Sequence, residues 1–197
     1  LESVDLSVEV VMAVDSGLGR EGARSLDEAR KTKAAIEKFP RMKLRGIYTH
    51  EGQFYGKDKD KLTENVSELH SLLVTTREAL DPKLELWPGC SVTAAKMATM
   101  PGIATVRPGA YMFGDLSLAY TQKVMEWDDV AISVLATVVD RPTPELALID
   151  AGSKVFSSDK SRQGWTALPK DQRNFQVVRC NEEHGYIEGP DVNTLKI

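Results

Sequence analysis

A mixed α/β fold is predicted for this 197-residue chain, on three observations. Short β-branched apolar runs alternate with amphipathic helical patterns through the first 120 or so residues, the rhythm of parallel strands joined by helical crossovers. After about residue 125 the rhythm changes to β-rich runs with no long helical pattern. Each strand of the first half ends in a turn that carries glycine beside a charged or hydroxyl residue. The expectation is a parallel α/β domain over residues 1–125, then a mostly β domain over 126–197.

The elements follow in order. Ser7–Val14 (SVEVVMAV) reads as a strand that breaks at Asp15-Ser16-Gly17. Ser25-Leu26-Asp27-Glu28 has the form of a capping box, with Ser25 accepting from the amide three residues on and Glu28 reaching back. A helix is predicted from there to about Phe39, stopped by Pro40. Leu44–Thr49 is the next strand. Asp58 to about Leu80 is the clearest helix, with Leu62, Val66, Leu69, Leu73 and Leu80 on one face. Leu84–Trp87 and Ile103–Val106 read as strands around a short helix over Val92–Met100. Beyond the boundary, Val130–Val139, Glu145–Asp150 and Phe175–Arg179 are strand candidates. The first half holds about four βα units, whereas a closed eight-unit barrel takes about 250 residues. Either the remaining units lie elsewhere in the native protein or the fold is not a barrel.

Composition narrows the function. Hydrophobic residues make up 42% and charged residues 27%, as in an ordinary globular protein. A net charge of -4 without a basic block argues against nucleic acid, which needs a basic face. No apolar run approaches the ~20 residues of a membrane helix, so no membrane partner is expected. Cys90 and Cys180 stand far apart, and a reduced, cytoplasmic setting is the expectation. The chain opens on Leu1 without an initiator Met and runs almost at once into a strand, as a cut chain would.

Four strand-end turns carry the candidate chemistry, and parallel α/β sheets bind ligands at that end. Asp15-Ser16-Gly17-Leu18-Gly19-Arg20-Glu21-Gly22 follows the first strand. Its glycines match a dinucleotide pattern, but no acidic residue ends a strand about 20 residues on; Arg20 is the residue of interest. Tyr48-Thr49-His50-Glu51-Gly52 ends the second strand, and alternation puts Tyr48 one layer below His50. Gly89, Cys90 and Ser91 open the short helix, where free N–H groups and a hydroxyl suit a phosphate, although Ser also serves as a plain cap. Arg107-Pro108-Gly109-Ala110-Tyr111 is the fourth turn.

These residues resemble the alanine racemase-like barrel of pyridoxal-phosphate enzymes. Asp15–Gly22 resembles its D-T-G-M-x-R-x-G turn, and Ile47-Tyr48-Thr49-His50 its strand with a cofactor-stacking histidine. Gly89-Cys90-Ser91 falls at its phosphate-binding Ser loop, and Val106–Tyr111 resembles its R-x-G turn. Asp150-Ala151-Gly152-Ser153-Lys154-Val155-Phe156-Ser157-Ser158-Asp159 looks like the signature of the D-serine dehydratase-like domain, with Glu182-Glu183-His184-Gly185 as its E-x-H-G element.

The resemblance implies part of a (β/α)8 alanine racemase-like barrel followed by a mostly β domain. It implies a pyridoxal-phosphate-dependent lyase of the D-serine dehydratase or D-threonine aldolase type, acting on small D-β-hydroxy-α-amino acids as a homodimer in the intact parent. Arg20 and His50 are the supporting catalytic residues it implies. Arg20, Tyr48, His50, Gly89, Cys90, Ser91, Arg107, Gly109, Ala110 and Tyr111 are the implied cofactor contacts. The lysine that carries the cofactor in this family falls upstream of Leu1, and Lys154 belongs to the second-domain signature. No His, Cys or Asp cluster here has metal-ligand spacing. The family's metal ligands fall beyond Ile197, so a divalent metal (Zn or Mn/Mg) is expected only in the intact parent. An alanine racemase-like isomerase is the nearest rival, against which the Asp150–Asp159 signature speaks. A non-catalytic pyridoxal-phosphate-binding protein would lack the residues after 128. Without the lysine and the metal ligands, the chain by itself is expected to lack activity.

Overall fold

The computed structural model describes residues 6–56, 59–157, 160–161 and 163–197. Its contacts divide the chain into two compact units, one ending at Met112 and one running from Phe113 to Ile197. The division falls ahead of the composition change near residue 125. Residues 113–131 close on one another in the second unit, where the Ala131 N–H donates to Phe113 O at 2.7 Å.

In the first unit, β1 (Val8–Ala13), β2 (Met42–Thr49) and β3 (Glu85–Pro88) form a sheet in that order, both pairings parallel. Helix α1 (Leu26–Glu37) returns the chain from β1 to β2, and α2 (Leu62–Leu80) from β2 to β3. Register puts Met12, Ile47 and Leu86 side by side, and all three are buried on one face of the sheet. Tyr48 and Trp87 are register partners on the other face.

The start of α1 follows the capping expectation with one shift. Ser25 Oγ accepts from the Glu28 N–H (3.2 Å), but Glu28 reaches back to the Arg24 N–H (2.8 Å), one residue before the cap. Helix α2 begins at Leu62 after a 3-10 turn over Lys59–Lys61; Asp58, where the sequence pattern starts it, lies outside the described residues. Its spacing is borne out, since Leu62, Val66, Leu69 and Leu73 are buried.

Two strand expectations need correction. Residues 103–106 pair with β3 through the parallel Leu86–Ile103 bridge and through Leu86 O, which accepts from the N–H groups of Ala104 (3.1 Å) and Thr105 (3.5 Å). With a partner on one side and Pro101 and Pro108 near its ends, the segment lacks a continuous ladder. Its direction is nevertheless the expected one, and the Arg107 N–H donates to Pro88 O at 3.0 Å. Residues 130–137 are irregular; among the described residues the β-branched ones there have no strand to pair with, and Leu135 is fully exposed.

The second unit carries β4 (Val138–Thr143), β5 (Leu146–Ile149), β6 (Gln176–Cys180) and β7 (Gly185–Glu188), antiparallel in the order β4-β5-β7-β6. The Arg141-Pro142-Thr143 segment, which follows the Val130–Val139 strand candidate, belongs to β4. Proline is tolerated there because β4 is an edge strand with two register shifts. Ala147, Ile149, Val177 and Ile187 alternate inward and form the core with Ala151 and Val192. The helix α3 (Ala94–Met97) belongs to the first unit, and α4 (Ser153–Phe156) to the second.

Leu73 and Leu72 offer a test of the α2 face, because the first is fully buried and the second exposed. Leu73→Ala is expected to cost about 2–5 kcal/mol, and Leu72→Ala less than about 0.5 kcal/mol, in urea denaturation of the full-length protein.

Candidate functional site

The Asp15–Gly22 loop closes on its own strand. Asp15 Oδ1 accepts the N–H groups of Gly17 (2.9 Å) and Gly19 (3.1 Å). These amides, Gly19 first, hold the Asp15 carboxyl below its ordinary range. At the far end the Ala23 N–H donates to Ala13 O (3.0 Å) and the Asp15 N–H to Ala23 O (2.9 Å). Gly22 must be glycine: its φ is +97°, and a Cβ there would lie 2.8 Å from the backbone of Ala13 and Val14. Arg20 stands at the loop's crest, 55% exposed, paired to Glu21 at 2.9 Å. It shares a small crevice with Asp15, Leu18, Thr49 and His50.

His50 and Glu51, adjacent at the end of β2, hold the two polar groups of a single peptide residue. His50 Nδ1 lies 2.5 Å from Gly89 O; a carbonyl can only accept, so Nδ1 carries the proton. The Gly89 N–H donates to Glu51 Oε1 (3.0 Å), and the Thr93 hydroxyl to Glu51 Oε2 (3.2 Å). Glu51 is fully buried. Burial pushes its carboxyl pKa up, while the Gly89 amide and the Thr93 hydroxyl pull it back.

Arg107 crosses the same end. Its Nη2–H donates to Thr49 O (2.8 Å) and its Nε–H to Trp87 O (3.2 Å), and the guanidinium lies 4.6 Å from the centre of the Tyr48 ring. A Cβ on Gly89 would sit 2.8 Å from that of Arg107, so the close crossing requires glycine at 89. The Ala110 N–H donates to Ser91 Oγ at 3.1 Å, which brings the third and fourth turns together. Gly109 borders open space, and Tyr111 is exposed.

The structure thus brings Arg20 and His50 to one crevice, His50, Gly89, Arg107 and Tyr48 into one set of contacts, and Ser91 against Ala110. It corrects the picture of a free amide at Gly89. The Gly89 N–H is taken by Glu51, and helix α3 starts only at Ala94, whose N–H donates to Cys90 O (3.0 Å). The Cys90 side chain is buried, and burial pushes its thiol up, leaving only its backbone for a ligand. Ser158 and Asp159 of the second-domain signature lie outside the described residues. Lys154 pairs with Glu183.

Sequence reasoning gave Glu51, Thr93, Ser16 and Gln53 no role. Thr49 Oγ1–H donates to Ser16 Oγ (2.7 Å) and Gln53 Nε2–H to Ser16 O (2.8 Å), tying the first two turns together. A signal for Glu51 was present: alternation that sends His50 to the mouth sends its neighbour toward the helical layer, where a carboxylate needs partners.

Two family models match the chain: "Alanine racemase, N-terminal domain" over residues 2–117 and "Putative serine dehydratase domain" over residues 131–197. The first spans more than half of the sequence, and the chain belongs to the alanine racemase N-terminal domain family. It is 31% identical over 166 residues to D-threo-3-hydroxyaspartate dehydratase of Delftia sp. (strain HT23), covering 76% of this chain and 43% of the relative. It is 23% identical over 204 residues to 3-hydroxy-D-aspartate aldolase of Paracoccus denitrificans (strain Pd 1222), covering 95% and 50%. The solved Delftia dehydratase superposes with a TM-score of 0.81 at 27% identity, over 94% of this chain and 53% of that one. The chain therefore spans about half the length of the relatives it matches. These matches bear out the resemblance read from the sequence and show an alanine racemase-like fold.

Asp15 gives a pH test. A folded-state pKa below the unfolded one means that its contribution is complete above the ordinary Asp range, and is lost as pH falls through the depressed value. Hydrogen-exchange protection of the Gly17 and Gly19 amides is expected to persist at neutral pH and to decline only below about pH 3.9. In Asp15→Ala it should be absent at every pH.

Proposed function

We propose that the full-length protein carrying this chain is a pyridoxal-phosphate-dependent lyase acting on D-β-hydroxy-α-amino acids, by elimination or retro-aldol cleavage. The observation that carries the reading is the gathering of Arg20, His50, Ser91 and Arg107 at one end of a parallel sheet, in a chain of this family. Residues 1–125 would hold the cofactor, residues 126–197 would form the D-serine dehydratase-like β domain, and the protein would work as a homodimer.

The donor set fits the cofactor. Ser91 Oγ and the Ala110 N–H lie together, Gly109 leaves space beside them, and guanidinium groups stand at the same strand ends. A hydroxyl, glycine backbone and cations suit a phosphate, and an imidazole with its edge held leaves its face for an aromatic ring. When bound, pyridoxal phosphate supplies an electron-accepting ring for the charge released at the substrate Cα.

The chain's own residues would then divide the work. Ser91, Gly109 and Ala110, with the backbone of Cys90, would hold the phosphate, and Gly89, whose N–H and carbonyl are taken by Glu51 and His50, would shape the turn. His50 would pack on the ring, its edge held by Gly89 O. Arg107, anchored on Thr49 O and Trp87 O above Tyr48, would be the cation toward the ring nitrogen, with Tyr111 on the same turn. Arg20 would bind the phenolate oxygen or the substrate carboxylate through charged hydrogen bonds. Its side chain is exposed and, among the described residues, is held by its neighbour Glu21 alone, an exposed pair of little strength. Among the described residues no three His, Cys, Asp or Glu side chains come close enough to share a metal ion. They do not fit the divalent metal expected of the intact parent, and no step here runs through one.

Borohydride reduction of the full-length protein with pyridoxal phosphate, then peptide mapping, tests the reading. The labelled lysine is expected outside these 197 residues; stoichiometric labelling of Lys154 would overturn the assignment. Ser91→Ala is expected to weaken cofactor binding about tenfold, the worth of a hydrogen bond to a charged group, as read by absorbance titration.

A further inference from the structure

Glu51 is buried in the first unit beside the proposed cofactor residues, yet its carboxylate turns away from the crevice that holds Arg20 and His50. Its two oxygens are spent on the backbone N–H of Gly89 and the hydroxyl of Thr93. Gly89 presents its carbonyl to His50 from the other side. Two consecutive residues of one strand end therefore clamp one glycine from both of its polar groups, and Thr93 extends the grip across the turn that contains Ser91. The clamp leaves no slack: a Cβ on Gly89 would run into Arg107, and Arg107 is itself anchored to Thr49 O and Trp87 O.

A carboxylate is costly to bury, and a hydrophobic residue would fill this position more cheaply if packing were its only task. We propose that Glu51 is a positioning residue for the cofactor site: through Gly89 it sets the orientation and tautomer of the His50 ring, and through Thr93 it sets the Ser91 turn. The inference rests on the reading of His50 and Ser91 as cofactor contacts. It adds a residue that touches neither cofactor nor substrate. The chain of action is direct. Glu51 holds the Pro88–Gly89 peptide by its N–H and, through Thr93, the far side of the turn at Cys90 O. The Gly89–Cys90 peptide between them keeps its carbonyl aimed at His50 Nδ1, which then carries the proton and leaves Nε2 as the acceptor nitrogen. If the Gly89–Cys90 peptide turns, that bond is lost and the two imidazole tautomers become free to exchange.

Charge and reach make different predictions. Glu51→Gln keeps an oxygen for the Gly89 N–H, and the Thr93 hydroxyl can turn to Cys90 O, 3.3 Å away. Glu51→Asp keeps the charge but draws the carboxylate back by one methylene. The test uses the full-length protein with Glu51→Gln, Glu51→Asp and Glu51→Ala. The readouts are the His50 tautomer from imidazole nitrogen NMR of the cofactor-free protein, the pyridoxal phosphate dissociation constant, and the melting temperature. Glu51→Gln is expected to keep the Nδ1–H tautomer and to bind cofactor within about threefold of the parent. Glu51→Asp and Glu51→Ala are expected to lose the single tautomer and to bind the cofactor about tenfold or more weakly, a change of about 1.4 kcal/mol. If Glu51→Ala does not fold, Glu51→Asp carries the comparison. A lowered melting temperature with His50 and cofactor affinity unchanged would overturn the proposal and leave Glu51 a packing residue. An altered His50 tautomer with unchanged affinity would support the link from Glu51 to His50 and overturn instead the reading of His50 as a cofactor contact.

Discussion

The crossing of Arg107 over Gly89 is the constraint around which the first unit's strand ends are arranged. The guanidinium reaches back over Tyr48 to the Thr49 carbonyl, and the route passes where a side chain on Gly89 would be. Gly89 can therefore contribute only backbone. Both of its polar groups lie at a crowded strand end, where an unmet hydrogen bond is expensive. His50 takes the carbonyl and Glu51 the N–H. Three of the turns are thus joined at one residue, and Ser91 ties the third and fourth of them together again through Ala110.

The first loop is held separately. Asp15 folds the glycine run onto its own carboxylate, and Gly22 lets the chain return to within a backbone's width of β1. Thr49, Ser16 and Gln53 then link this loop to the end of β2. Arg20, at the crest, takes no part in these contacts and, among the described residues, has only Glu21 as its ion-pair partner. The division makes physical sense for a ligand site. Groups that must keep a fixed aim are anchored by several bonds, whereas a cation that meets an incoming carboxylate stays exposed and weakly held.

Below the site, the sheet carries a second polar arrangement. Arg45 bridges Glu9 and Glu85, and Trp87 Nε1–H donates to Glu85 at 2.7 Å. One guanidinium thereby spans all three strands on the face that carries Tyr48 and Trp87. The opposite face is apolar and covered by helices, with Ile47 and Leu86 fully buried, as is Leu73 of α2. This division between faces keeps the sheet's register, since a slip of one residue would send charges into the helical layer.

Much of this was legible in the sequence, because the signals were local. Periodicity placed α2 and its buried face, the Ser25–Glu28 spacing placed the start of α1, and alternation put Tyr48 and His50 on one side of β2. The order of parallel strands followed from helical crossovers, and the family resemblance rested on short motifs around glycines. What the sequence could not supply were relations between residues far apart in the chain. Nothing local says that Glu51 will meet Gly89 and Thr93, that Arg107 will lie over Tyr48, or that residues 130–137 will lack a strand partner. Those outcomes depend on which elements become neighbours after the helices have returned the chain to the sheet. A buried carboxylate finds its donors, and a β-branched run finds or fails to find its ladder, only in that packed arrangement.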